Sequence, residues 1–260
     1  MPLRQIYGNT AQDVSDSGTA IAIKEAKMSF PLMQNLARSN GSKILWVACD
    51  TFGGKFENIG VGKSVLERAR LPNIDGLCRK SATGLLNAPQ VLPNPDPDFE
   101  GITGMRPLTI DNDDRNKPIA GLFLEGRVEH VKSLSDFEGA LGDCWNNYDF
   151  FHLRLDHRQC AANSGCDFDA KEWIEMMDAW VPGLMAVFRP DVFAFSGVWW
   201  EHMQDSGEME VPIPLLIHSR RCRVQQQKEF SEQACKTGIL GRRVSADQWL
   251  LNLMAYAGRI

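Results

Sequence analysis

Apolar and polar positions alternate most strictly in Phe151-His152-Leu153-Arg154-Leu155-Asp156-His157-Arg158. Phe151, Leu153 and Leu155 share one face, while His152, Arg154, Asp156 and Arg158 share the other, the period-two signature of a half-buried strand over 149–158. Helical spacing flanks it on both sides. Ser133 to Asn146 reads as a helix, with Ser133 as N-cap and Asp136 three residues on as an approximate capping box. Asp169 caps a second helix from Ala170 to about Phe188, whose apolar stripe is Trp173, Met176, Met177 and Trp180. With strands at 119–131 and 191–200, the order is β-α-β-α-β across about 119–200. It predicts an α/β or α+β fold, a mixed sheet with helices packed mainly on one face.

Outside that core, Lys43 to Cys49 is a buried strand by its unbroken apolar run, and Val61 to Leu71 reads as a helix stopped by Pro72. A strand is expected at 211–218, and helices at 230–235 and 246–256, the last stopped by Gly258. From Pro89 to Pro118 the periodicity fades among Asn94-Pro95-Asp96-Pro97-Asp98 and Asp111-Asn112-Asp113-Asp114. The chain therefore divides into an N-terminal α/β region (1–90), a Pro/Asp-rich loop or junction (91–118) and a C-terminal α/β region (119–260), or forms one domain with a long loop. Residues 1–19 read as a loosely held polar arm.

Composition narrows the class without naming it. A 43% hydrophobic and 23% charged chain of 260 residues is an ordinary globular one. It has no apolar run long enough to span a bilayer and no signal-peptide core at its start, so a cytoplasmic location and no membrane partner are expected. Seven scattered cysteines with no CxxC read as reduced thiols. The charge is uneven. His218 to Ile260 holds eight Lys/Arg against three acids, a net of +5, so residues 1–217 of this −5 chain carry −10.

Five constellations carry candidate chemistry. Gly60-Val61-Gly62-Lys63-Ser64 resembles the end of a phosphate loop, but Glu57 stands where that motif needs glycine, so it reads as a glycine turn before a helix. His157, Cys160 and Cys166 could converge on zinc at a turn, with Asp167 or Asp169 as fourth ligand; otherwise no cofactor is expected. His152, Asp156, Arg154 and Arg158 on one strand face form an acid/base and anion-binding set, against the bland reading of a solvated face. In Trp199-Trp200-Glu201-His202 one Trp packs and the other could stack on a base or a partner. Arg220, Arg221, Arg223, Lys228, Arg242 and Arg243 form a patch rich in arginine, suited to bidentate phosphate or carboxylate contact or to pairing with the chain's own Asp-rich loop.

The leading expectation is a subunit of a cytoplasmic complex whose arginine patch contacts nucleic acid or another polyanion on one side and protein partners on the other. The alternatives are an enzyme acting on a phosphate- or carboxylate-bearing substrate through the His/Asp/Arg face, with or without a metal, and an acidic inhibitory or toxin-neutralising partner.

Overall fold

The computed structural model describes residues 32–50, 52, 64–86, 99–111, 127–131, 133–164, 169–197 and 213–260. The chain runs β1 (Ile44–Cys49), α1 (Val65–Arg68), α2 (Pro72–Cys78), β2 (Ala82–Leu86), α3 (Phe99–Thr103), β3 (Pro107–Asp111), β4 (Arg127–His130), α4 (Leu134–Cys144), β5 (Phe150–Leu155), α5 (His157–Ser164), α6 (Ala170–Phe188), β6 (Val192–Gly197), β7 (Ile213–Ser219), α7 (Glu232–Lys236), β8 (Gly241–Val244) and α8 (Ala246–Ala257). The polar arm, the glycine turn through Lys63, most of the Pro/Asp-rich stretch, Cys166 and the Trp199-Trp200 pair lie outside the described residues.

All eight strands join one mixed sheet in the order β4-β3-β5-β1-β6-β7-β2-β8. Among these strands β7 alone runs against the rest: it pairs antiparallel with β6 and β2, and the other pairings are parallel. The fold is α/β, and β4-α4-β5-α6-β6 realises the expected β-α-β-α-β order, with the short α5 added. Most helices cover one face. Leu45, Val47, Phe151, Leu153, Phe193 and Phe195 there meet Phe137 and Leu141 of α4 and Trp173, Ile174 and Met177 of α6. Ile44, Trp46, Phe150, Val192 and Ala194 on the other face meet Phe99 of α3 and Trp249, Leu253 and Met254 of α8.

Local signals placed several helix ends. Ser133 Oγ accepts from the Asp136 N–H at 3.3 Å, and the Asp136 carboxylate accepts from the Ser133 N–H at 3.0 Å. The Asp169–Glu172 pair repeats that box ahead of α6. Gly258 ends α8 at φ 71°, a left-handed conformation that glycine adopts without strain. Pro72 behaves otherwise than expected: it opens α2 at the first helical position, and the earlier helix is only α1. Capping of α2 comes from far away. The buried Asp178 carboxylate on α6 accepts from the backbone N–H of Asn73 at 3.1 Å and of Ile74 at 2.7 Å, and from Asn73 Nδ2 at 2.8 Å.

Three strands were not anticipated: β2, β3 inside the expected 91–118 junction, and β8. The 149–158 strand is shorter than expected, since β5 stops at Leu155 and α5 begins at His157. Its alternation does not mark a solvated face either. Every residue of β5 is buried, and on the face that holds His152 and Arg154 its Phe150 packs against Phe99 of α3. Among the described residues, no helix is long and apolar enough to cross a membrane.

His152 is the consequence. It is 0% exposed, its ring lies 4.5 Å from Trp46 centroid to centroid, and neither ring nitrogen has a hydrogen-bond partner among the described residues. Burial, helped by the nearby Arg154 charge, pushes its pKa down to about 3, so it is a neutral core residue. Arg154 is likewise buried, its Nη1 3.2 Å from Asp111 Oδ2 on the neighbouring strand.

Two outcomes test this packing. Because the folded pKa of His152 lies below its unfolded value, the unfolded chain takes up the proton first. Stability is therefore full above about pH 6.5 and falls as the pH drops towards 3, by up to about 1.4 kcal/mol per pH unit from this group. Urea unfolding of His152→Phe should show a shallower slope between pH 6.5 and 4; equal slopes would contradict the assignment. Asp178→Ala leaves the first N–H groups of α2 without their acceptor and should lower the unfolding free energy by about 2–3 kcal/mol at pH 7. A loss under about 0.5 kcal/mol in urea melts would show the cap to be dispensable.

Candidate functional site

Parallel pairing of β1 with β5 places Cys49 opposite Leu155, so the residues that follow each strand emerge side by side. They are Asp50 after β1 and Asp156 and His157 after β5. One strand further out, Asp111 ends β3. The carboxyl edge of the sheet thus presents acids from three adjacent strands. From β3 the chain leaves towards β4 and from β5 towards β6, in opposite directions along the sheet, and in open α/β sheets the crevice at such a divergence is where ligands bind.

Each group there is held. The His157 backbone N–H donates to Asp50 Oδ1 at 3.1 Å, and its ring Nδ1 lies 2.6 Å from Asp50 Oδ2. Either atom of that contact can hold the proton, and the two are also near enough to meet one cation. Asp156 sits at the start of α5, where its carboxylate accepts from the Gln159 N–H at 3.1 Å. Phe52 anchors the exit from β1 by packing edge-on against Phe195 and Phe230. Its carbonyl crosses Gly197 at the end of β6 so closely that any Cβ there would overlap it.

Ligand atoms of Asp50, Asp156 and His157 all lie within 4.8 Å of one another, the spacing of a metal-binding group. Burial raises the pKa of Asp50, the bond from His157 opposes that, and Asp156 pushes it up again. A cation between the two acids relieves both the desolvation and the repulsion, so the donor set fits a divalent metal. Two carboxylates with one imidazole suit manganese or zinc better than calcium, which takes oxygen ligands.

The sequence candidates divide accordingly. Asp156 and His157 are at the edge, but His152 and Arg154 are core residues and Arg158 is exposed on α5. The four were expected on one strand face; the strand's end at Leu155 separates them. Of the expected zinc set His157, Cys160, Cys166, only His157 is in the group. Cys160 turns into the core beneath α5, and Cys166 is outside the described residues. Asp50 was missed, although a carboxylate directly after the clearest buried strand is the signal that a parallel sheet uses. Arg220, Arg221, Arg223, Lys228 and Arg242 are exposed; the side chain of Arg243 is outside the described set.

Ser64, the last residue of the glycine turn, has a structural role. It caps α1 with Glu67, and its Oγ donates to the buried Glu232 at 2.7 Å.

No family model matches the chain. It is 30% identical over 165 residues to a probable 2,3-bisphosphoglycerate-independent phosphoglycerate mutase of Thermosipho africanus, covering 63% of this chain and 40% of that protein. A protein of the same name from Thermotoga neapolitana is 32% identical over 134 residues, covering 51% and 33%. The chain thus spans less than half the length of these curated relatives. A solved structure of a Pyrococcus horikoshii protein shares the fold, with a TM-score of 0.57 at 13% identity over 86% of this chain and 98% of that one. The relatives are named as enzymes, and this overturns the expectation of a subunit contacting nucleic acid or another polyanion. The similarity is to proteins named as phosphoglycerate mutases.

Proposed function

We propose that this chain acts on a small phosphate ester, with a divalent cation held by Asp50, Asp156 and His157. The observation that carries the reading is the meeting of these three donors at the carboxyl edge of a parallel sheet. The names of the curated relatives support phosphate-ester chemistry, and a phosphorylated hydroxy acid such as phosphoglycerate is the substrate class they favour.

A bound divalent cation would supply charge stabilisation to a phosphoryl oxygen. The chain's own residues do the rest. His157 grips both oxygens of Asp50, through backbone N–H and ring, and so fixes the carboxylate plane. The N-terminal turn of α5 fixes Asp156 in the same way. Neither acid needs to reorganise when the cation and its phosphate arrive, and such preorganisation is what makes electrostatic stabilisation effective. The reading takes from the sequence the enzyme alternative and its phosphate-bearing substrate, and moves the chemistry from the β5 face to the sheet edge.

The test is calorimetric titration with Mn2+, followed by phosphoryl-transfer and hydrolysis assays on 3-phosphoglycerate. Expected is about one equivalent of metal with the wild-type chain, and at least tenfold weaker binding with Asp50→Asn plus Asp156→Asn. Activity should fall at least a hundredfold in the same double variant. Less than a tenth of an equivalent bound by wild type, or full activity in the double variant, would sink the proposal.

A further inference from the structure

We propose that the opposite, amino edge of the sheet carries a second site, a cavity for one small phosphate-bearing dianion. The cavity has a volume of about 720 Å³ and is walled by four chain segments: the approach to β1, the turn from α6 into β6, the end of the antiparallel β7, and the end of α8. Volumes of this size hold small organic ligands. β1 is six residues long, so the two edges lie roughly 20 Å apart. The cavity therefore does not depend on the metal edge.

Its chemistry is cationic. Arg189, Arg220 and Arg221 line it against one carboxylate, Asp191, which is itself engaged by the Lys43 N–H at 2.9 Å. Among the described residues none of the three arginines is paired with a carboxylate. Guanidinium groups lining one concave surface suit a dianion, since each can offer two parallel N–H donors to phosphate oxygens.

The walls are fixed in advance. Asn40 Nδ2 donates to the carbonyls of Ala257 at 3.1 Å and Gly258 at 3.0 Å, which ties the approach to β1 to the end of α8. Ser219 Oγ donates to the Tyr256 carbonyl at 2.9 Å and accepts from the Arg221 N–H at 3.2 Å. The Arg221 guanidinium packs on Gly258, where any Cβ would overlap it. Arg189 is the third clue. It ends α6 at φ 47°, in the left-handed region where glycine is the usual choice, yet a long cationic side chain stands there. Its Nε donates to the Ala186 carbonyl at 3.3 Å, which accounts for part of the preference; the strain at this position is tolerated in a residue that also faces the cavity.

A walled cavity lined by a few arginines differs from an extended surface for a polymer, and the ligand is accordingly a free phosphate monoester or phosphate itself. The experiment is titration of the whole chain with inorganic phosphate and with 3-phosphoglycerate at ionic strength held constant with chloride, followed by calorimetry and thermal denaturation. Expected is saturable binding that survives Asp50→Asn and weakens at least tenfold in Arg220→Ala plus Arg221→Ala. Arg189→Gly should weaken binding without lowering the melting temperature in the absence of phosphate, because glycine accepts the left-handed backbone. No saturable binding above the chloride control would overturn the site, as would unaltered binding in the arginine variants. A short single-stranded oligonucleotide binding more tightly than phosphate at the same ionic strength would overturn the small-ligand assignment. Loss of metal binding in Asp50→Asn with phosphate binding intact separates this site from the reading at the carboxyl edge.

Discussion

The rest of the structure depends on β1 being paired in parallel on both sides. Its backbone groups are satisfied by β5 and β6, so the strand can be apolar throughout and wholly buried. Parallel neighbours also end together, and this brings Asp50 beside Asp156 and His157, more than a hundred residues apart in sequence. The same geometry sends the starts of β1 and β6 to the other edge. There the reversed strand β7 delivers Ser219, Arg220 and Arg221. Acids thus gather at one end of the sheet and arginines at the other.

Covering both faces has a cost that the polar residues reveal. Trp46, on the face beneath α8, donates its indole N–H to Ser196 Oγ at 2.8 Å, and Arg154 meets Asp111, so these buried groups are compensated. Among the described residues His152 has no such partner, and it persists as a neutral ring against Trp46. Asp178 shows the favourable case, one buried carboxylate satisfied by the open N-terminus of a remote helix.

Several elements were legible because their signals are local. Capping boxes at Ser133 and Asp169, the left-handed stop at Gly258, and the apolar run of β1 each depend on a few adjacent residues. The strands β2 and β3 were not legible. β2 is Ala-Thr-Gly-Leu-Leu, with little β-branched content, and Gly84 within it lets the chain at Leu240 and Gly241 approach where a side chain would clash. β3 begins at a proline within a stretch that composition alone marks as a loop, and its identity as a strand comes from pairing with β4 and β5. The candidate site was half legible: Asp156 and His157 stood out as residue types, and Asp50 did not.

By itself the sequence narrowed the fold to α/β or α+β and determined the β-α-β-α-β order of its second half and several helix ends, because hydrophobic period and capping chemistry are properties of neighbouring residues. Tertiary structure alone decided which polar residues are functional candidates. Alternation gives the two sides of β5 but not what covers them, so His152 and Arg154 read as an accessible pair although both are buried. Register between distant strands likewise set Asp50 against His157, and strand direction divided the acids from the arginines. Those outcomes depend on which strands become neighbours, a choice made by the burial of the whole sheet and not by any local segment of the chain.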